Sequence, residues 1–237
     1  AYNNLGNALR ELGQPTDAVA ALKEAVRVDE NYGAAHLNLG AACSDAGMHD
    51  EAVAAARRAV DLLGAAPEAH NVLGAALEGA GRPDEAVTAY EAGLDLQPRS
   101  VSMLVNLGNA LRSAGRNPDA VKKLSSAIAL EPDGPHAARA YNSLGAALQA
   151  EGKQKHALSA YTAALKLKPD LEEAQSNLEK LPAGPFYRAQ VARETGVLAW
   201  RAAAAALAAW GEARARRGGP LHGRGGGVDE MLSVRLY

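Results

Sequence analysis

The sequence predicts an all-α protein, a solenoid of about five helix-turn-helix repeats followed by one capping helix. A Leu-Gly pair recurs along the chain at a spacing of 34 residues, with one spacing of 37. Alanine, proline and a second glycine recur in the same register. A fixed period of this length is typical of stacked helical repeats. The Leu-Gly pairs stand at Leu5-Gly6, Leu39-Gly40, Leu73-Gly74, Leu107-Gly108 and Leu144-Gly145.

The repeat boundaries follow when Gly33 is counted as position 1 of a unit of 34 residues. Position 15 is then glycine and position 20 alanine in every unit. Ala1 falls at position 3, so we interpret the first unit as incomplete and the chain as a fragment of a longer array. Residues 135–137 are an insertion that lengthens one turn between units. The predicted units are 1–32, 33–66, 67–100, 101–134 and 138–171, followed by a cap at 172–181 and a tail at 182–237.

Glycine and proline divide each unit into two helices. Gly47 marks the turn between the helices of the second unit, Pro83 opens the second helix of the third unit, and Pro98 follows its end. Proline is compatible with the first turn of a helix and glycine with the position after its end. The chain therefore predicts ten helices and then an eleventh.

The two helices of a unit are expected to pack through small residues. Leu39, Gly40 and Cys43 share one face of a first helix, and Ala52 and Ala56 share one face of the following helix. Gly40 leaves room for the second helix, which outweighs the helix penalty of glycine of about 1 kcal/mol. Because a lone unit cannot cover its own apolar face, the stability of the array depends on stacking between units.

The last two segments differ in composition from the repeats. The segment from Glu172 to Lys180 places Ala174 and Leu178 on one face with charged residues elsewhere, which predicts a polar-backed capping helix. The tail at 182–237 is rich in alanine, arginine and glycine. We expect a helix within 186–217 and disorder in the glycine-rich stretch at 218–227.

The pattern of small and apolar residues at these offsets resembles the tetratricopeptide repeat, across residues 1 to about 181. The family usually has an aromatic residue at position 4, where this chain has His36, His70 and Leu104. The resemblance implies a right-handed α-α superhelix whose first helices line a concave groove. It also implies binding of protein or peptide partners in that groove.

No arrangement of residues predicts catalysis, a metal site or a cofactor. His36 and His70 are one repeat apart, but they replace the packing aromatic and no cysteine or carboxylate shares their register. A net charge of −2 and the lack of a dense basic stripe argue against nucleic acid binding. No apolar run predicts a membrane span. A single cysteine, Cys43, favours a reducing compartment, so we expect a cytoplasmic or nuclear protein.

Asparagine recurs on the face of the first helices that lies opposite the core. An asparagine side chain has one acceptor and two donors, which match the amide groups of an extended peptide backbone. The alternative is that these residues solvate an exposed face or bond between neighbouring helices. The predicted peptide-binding residues are Asn4, Asn7, Asn38, Asn71, Asn106, Asn109 and Asn142.

We therefore expect a non-catalytic adaptor that binds extended segments of partner proteins. The Asn-Leu-Gly-Asn-Ala-Leu-Arg runs at 4–10 and 106–112 resemble repeats of the O-linked N-acetylglucosamine transferase branch of the family. This resemblance implies the alternative, a substrate-recruiting arm of such an enzyme that lacks the catalytic domain. A further possibility for the partner is a second copy of the chain, bound through the uncapped face of the first repeat.

Overall fold

A computed structural model of the chain describes residues 1–181, which form eleven α-helices. The predicted all-α solenoid is confirmed. The tail at 182–237, with its expected helix and disorder, lies outside the described residues. The helices are α1 (Tyr2–Glu11), α2 (Pro15–Val28), α3 (Gly33–Asp45), α4 (His49–Leu63), α5 (Pro67–Gly79), α6 (Pro83–Leu96), α7 (Val101–Ser113), α8 (Asn117–Leu130), α9 (Ala137–Ala150), α10 (Gln154–Leu167) and α11 (Glu172–Lys180).

The helices pack in chain order, and the first helices of the repeats form the inner side of the superhelix. Each helix contacts the next one along the chain. In addition, each odd-numbered helix contacts the next odd-numbered helix, whereas no such contact joins the even-numbered helices of the described residues. The odd-numbered helices are therefore closer together than the even-numbered ones. A stack that is tighter on one side curves towards that side, so α1, α3, α5, α7, α9 and α11 form its concave surface.

The turn inside each repeat ends the first helix in the same way. Glycine at position 15 has a φ of +70° to +75° in all five repeats, a left-handed conformation that side chains with a Cβ disfavour. In the second repeat, the N–H of Gly47 donates a hydrogen bond to the carbonyl of Ser44. The N–H of Met48 donates one to the carbonyl of Cys43. The other four repeats contain the same bonds. They satisfy carbonyl groups that the end of the helix leaves open.

Glycine at position 8 allows the two helices of a repeat to approach closely. A Cβ on Gly108 would lie 2.5 Å from Cγ of Leu124, and a Cβ on Gly74 would lie 2.5 Å from the ring of Tyr90. Leu124 and Tyr90 are fully buried at position 24 of their repeats. The expected close approach is thus confirmed, and its contact on the second helix is the residue at position 24.

The ends of the last repeat differ from the others. The connection between α8 and α9 spans residues 131–136, whereas the connection between α6 and α7 spans only 97–100. At the C-terminal end, α11 contacts both α9 and α10 and buries Ala174, Leu178 and Leu181. These apolar side chains cover the last repeat, and Glu172, Glu173 and Lys180 remain exposed.

Candidate functional site

A polar groove of about 750 Å³ lies on the inner surface of the last repeats. Its lining residues come from α5, α7, α9 and α11, which are all inner helices. Ala146 is the one lining residue with an apolar side chain, and charged groups, amides and hydroxyls make up the rest. The lining consists of Glu78, Asn109, Arg112, Ser113, Arg139, Asn142, Ser143, Ala146, Glu172, Glu173, Ser176, Asn177 and Lys180.

The cations of the groove differ from several cations of the outer helices. Among residues 1–181, no salt bridge involves Arg112, Arg139 or Lys180. On the second helices, by contrast, Arg57 pairs with Glu85 of the next repeat, with Nη2 2.8 Å from Oε2. The three groove cations therefore keep their hydrogen-bond donors available for an anionic group.

The acidic residue deepest in the groove is Glu78, which is held by a buried tyrosine. The hydroxyl of Tyr90 donates to Oε2 of Glu78 at 2.7 Å. Burial raises the pKa of Glu78, and this effect exceeds the opposing effects of the Tyr90 hydrogen bond and of the positive charge of Arg112. Glu78 is thus a desolvated carboxylate that is satisfied from within the protein.

A tyrosine at position 24 has the same role in the fifth repeat. There, the hydroxyl of Tyr161 donates to Oε1 of Gln149 at 2.8 Å, and burial raises the pKa of Tyr161 to about 12. In both repeats that have tyrosine at position 24, the residue at position 12 therefore accepts a hydrogen bond from its hydroxyl. In the second repeat position 24 is Ala56, which has no hydroxyl, and the buried Oγ of Ser44 at position 12 has no protein partner.

The recurring asparagines bond to one another between repeats. Three side-chain amides at position 6 donate to the side-chain carbonyl at position 5 of the preceding repeat, with a separation of 35 residues in each case. The pairs are Asn38 Nδ2 to Asn3 Oδ1 at 2.8 Å, Asn106 Nδ2 to Asn71 Oδ1 at 3.1 Å, and Asn177 Nδ2 to Asn142 Oδ1 at 3.0 Å. These hydrogen bonds between side-chain amides join α1 to α3, α5 to α7 and α9 to α11.

The two remaining junctions between repeats have other residues at these positions. Leu37 and Val72 take them between the second and third repeats, and Val105 and Ser143 between the fourth and fifth. A Cβ on Gly40 would lie 3.2 Å from Cγ1 of Val72, so Val72 fills space above this glycine. At this junction an apolar contact therefore takes the place of the asparagine pair.

The seven predicted peptide-binding residues fall into three groups. Asn109 and Asn142 line the groove. Asn38, Asn71 and Asn106 take part in bonds between repeats, as Asn142 also does. On α1, Asn4 is exposed, and the buried carbonyl oxygen of Asn7 has no partner. The structure thus brings two of the seven into one groove and places the other five elsewhere on the inner helices.

Helix α11 contributes to the groove, which the sequence pattern did not predict. The predicted peptide-binding residues all precede the cap, yet Ser176, Asn177 and Lys180 of α11 line the groove. Asn177 stands at position 6 of the repeat register, which was the available signal that α11 continues the row of inner helices. Conversely, the helical period places Val105 on the inner face, yet its side chain is fully buried in the structure.

The surroundings of His36, at position 4, indicate a structural role for this side chain. His36 is buried, and its Nε2 lies 3.0 Å from the backbone carbonyl oxygen of Glu30, to which it donates. Within residues 1–181, no three His, Cys, Asp or Glu side chains are grouped closely enough to hold a metal ion. In the same part of the chain, no helix has the length and apolar character that crossing a bilayer requires.

A helical-repeat solenoid with a polar inner groove defines the class of this protein as a repeat scaffold. The tetratricopeptide repeat models match residues 1–65, 45–101, 71–135 and 105–172. The chain therefore belongs to the tetratricopeptide repeat family.

Solved structures of the same family share the fold. YrrB, a TPR protein with an unusual peptide-binding site, is similar with a TM-score of 0.61 and 19% identity, over 75% of this chain and 90% of that protein. MamA from Desulfovibrio magneticus RS-1 is similar with a TM-score of 0.63 and 21% identity, over 72% and 95%. TTC0263 from Thermus thermophilus has a TM-score of 0.61 and 19% identity, over 76% and 98%.

Among curated proteins, no sequence matches this chain significantly. The matches above establish the repeat family and the superhelical fold. They do not bear on the glycosyltransferase branch, so the similarity of the runs at 4–10 and 106–112 to that branch stays a prediction.

Proposed function

We propose that this protein is a scaffold that binds an extended, polar peptide segment of a partner protein on its inner surface. The observation that carries the proposal is the polar groove with three cations that form no salt bridge within the described residues. The similar fold of YrrB, which is described as having a peptide-binding site, supports it. The proposed contact residues are Asn4, Asn7, Asn38, Asn71, Asn106, Asn109 and Asn142.

The bonds between repeats leave these asparagines with capacity for a ligand. An asparagine side chain has two N–H donors and an oxygen with two lone pairs. Asn38 uses one donor and keeps the other donor and its oxygen, while Asn142 uses its oxygen once and keeps both donors. The side chain of Asn109 forms no hydrogen bond within residues 1–181. A peptide backbone needs donors and acceptors at intervals along its length, which such a row of amides supplies.

The two arginines of the groove provide a local site for an acidic peptide side chain. Arg112 and Arg139 carry guanidinium groups, which bind carboxylates in a bidentate manner. Ala146 is its one lining residue with an apolar side chain, so the groove lacks the row of large apolar side chains that holds an amphipathic helix. The favoured ligand is therefore an extended segment with at least one carboxylate opposite these arginines.

The proposed role is assembly, without a catalytic step. A buried free thiol, Cys43, fits a protein of the cytoplasm or nucleus, where thiols stay reduced. The partners that we propose are proteins or peptides, with neither nucleic acid nor a membrane among them, because the groove cations are flanked by Glu78, Glu172 and Glu173. A phosphate backbone is a continuous row of negative charges whose binding depends on neutralisation by several cations, and these carboxylates offset the three cations of the groove.

Selection from a random peptide library, followed by affinity measurements on the enriched peptides, tests this proposal. The variant Arg112→Gln/Arg139→Gln removes two groove cations. The matched control Arg99→Gln/Lys122→Gln removes two cations that do not line the groove. We expect acidic peptides to be enriched, and the groove variant to bind them at least about tenfold more weakly, the size of a lost charged hydrogen bond. Equal losses in both variants would place binding elsewhere.

A second pair of variants separates binding from stacking. Asn109→Ala removes an amide that has no bond to another repeat, whereas Asn38→Ala breaks the bond to Asn3. We expect Asn109→Ala to weaken peptide binding and to leave the unfolding midpoint unchanged. If peptide affinity is unchanged in Asn109→Ala while the selected peptides still need Arg112, the asparagine part of the proposal is wrong and the cation part stands.

A further inference from the structure

A cleft of about 490 Å³ lies between the second helices of the third and fourth repeats, α6 and α8, and we call it the outer cleft. Leu94 of α6 and Leu104 of α7 are both buried and form its floor. None of its lining residues belongs to the polar groove, so the two surfaces are separate. The outer cleft is lined by Glu91, Leu94, Asp95, Pro98, Leu104 and Lys123.

The outer cleft lies at a junction that lacks the ion pair of the two junctions before it. Lys23 and Arg57 occupy position 25 of the first two repeats, and each pairs with the acidic residue at position 19 of the next repeat. In the third repeat position 25 is Glu91, and it is followed by Asp119 at position 19 of the fourth repeat. Two carboxylates repel each other, and Asp119 pairs with cations of its own repeat instead. Among residues 1–181, Glu91 and Asp95 take part in no ion pair.

The same junction also lacks a hydrogen-bond donor that two others have. His36 and Gln175 both stand at position 4, and they donate to the backbone carbonyl oxygen at position 32 of the preceding repeat at 3.0 Å and 2.7 Å. In the outer cleft, position 4 is Leu104, which has no donor, and position 32 is Pro98. The carbonyl oxygen of Pro98 accepts no hydrogen bond from the part of the chain that the structure describes.

Lys123 does not compensate for the missing cation. It is half-buried on the wall of the outer cleft, and within the described residues it forms no ion pair with Glu91, Asp95 or any other acid. One ammonium group and two carboxylates leave the lining with a net negative charge, so the charge favours a cationic ligand. Lysine at position 23 is peculiar to this repeat, since the other four have Ala21, Ala55, Ala89 and Ala160 there.

We propose that the outer cleft binds an arginine side chain of a partner protein, at a site separate from the polar groove. A guanidinium group has five N–H donors in a planar fork, which can serve the carboxylates of Glu91 and Asp95 and the carbonyl oxygen of Pro98 together. The methylene groups of the arginine lie against Leu94 and Leu104. The ligand thus supplies both the positive charge and the donor that this junction lacks.

Peptide selection on the full chain tests this proposal. The target is the variant Arg112→Gln/Arg139→Gln, which lacks two cations of the polar groove, so that binding in the outer cleft is measured by itself. We expect peptides that contain arginine to be enriched. Replacing that arginine by citrulline, which removes the charge at nearly the same shape, should weaken binding at least about tenfold. Enriched peptides without arginine would overturn the proposal.

Two matched variants locate the bound arginine. Glu91→Lys gives position 25 the residue of the first repeat, which can pair with Asp119, and should weaken binding of the enriched peptides at least about tenfold. Because Glu91 is exposed, we expect the unfolding midpoint to be retained. The control Asp61→Lys makes the same change of charge at an exposed position of α4 outside the cleft and should leave the affinity unchanged. Equal affinities of the two variants would overturn the assignment to this cleft.

A third variant decides the charge of the ligand. Lys123→Ala gives position 23 the residue of the other repeats and removes the one cation of the lining. We expect the affinity for the enriched peptides to stay the same or to rise, because a like charge is lost. A tenfold loss of affinity would overturn the proposal, since the ligand would then be an anion that Lys123 binds.

Discussion

The hydrogen bond between Asn71 and Asn106 should couple the two residues energetically. Replacing either residue alone should cost stability, whereas replacing both together should cost little. Replacing Asn106 by valine leaves the carbonyl of Asn71 without the donor that now lies 3.1 Å away. Replacing Asn71 by leucine leaves the amide of Asn106 without its acceptor. Because both side chains are only partly buried, we expect each single change to lower the free energy of unfolding by about 1 kcal/mol.

The double variant Asn71→Leu/Asn106→Val should lose much less stability than the sum of the single variants. It reproduces the residues that the chain already has at the junction between its second and third repeats, Leu37 and Val72. Replacing both partners of a hydrogen bond by apolar groups is often nearly neutral. We therefore expect a coupling free energy of about 1–2 kcal/mol between the two positions.

Urea unfolding of the full chain, followed by circular dichroism, measures this double-mutant cycle. Single changes that add within about 0.5 kcal/mol would refute the reasoning, because independent sites add in this way. The same double variant separates the two proposed roles of the asparagines. If it keeps its stability and loses peptide affinity, the amides serve the ligand as well as the junction between the repeats.

Three further predictions concern single positions of the core and the groove. Gly108→Ala should lower the free energy of unfolding by about 1–3 kcal/mol, because the new methyl group overlaps the buried side chain of Leu124; thermal unfolding measures this. At Gly115 an added methyl group would contact no neighbouring atom, but the φ of +75° is unfavourable for alanine. Gly115→Ala should therefore lower the free energy of unfolding by about 1–2 kcal/mol, and an unchanged melting temperature would contradict this. Glu78→Gln keeps an acceptor for Tyr90, as Gln149 does in the fifth repeat, and removes a desolvated charge. Because the folded pKa of Glu78 is raised, the contribution of Glu78 to wild-type stability falls as the pH rises above the usual glutamate pKa of about 4.3. The variant should therefore gain stability relative to wild type between acidic and neutral pH in urea titrations.

Much of the fold was predictable because repeats impose the same local demand several times. Gly115 and its equivalents stand at the same position because the turn needs a left-handed residue there. Gly108 and its equivalents recur because the second helix approaches at that point. A single such glycine would be weak evidence, whereas five in register indicate one geometry.

The candidate site was only partly predictable. The helical period placed Asn109 and Asn142 on the inner face, and they line the groove. The same geometry also assigned Val105 to that face, although it is fully buried. Ser176 and Lys180 of α11 were missed because a polar helix after the last repeat satisfies the requirements of a cap and of a groove wall equally well.

By itself, the sequence determined the repeat unit, its two helices and the close contact inside each unit, since these depend on residues within one period. Only the tertiary structure decided how neighbouring units meet. The bonds join residues 35 positions apart, one more than the period, so position 6 of one repeat faces position 5 of the repeat before it. This offset arises from the stacking of the inner helices, and no property of a single unit specifies it.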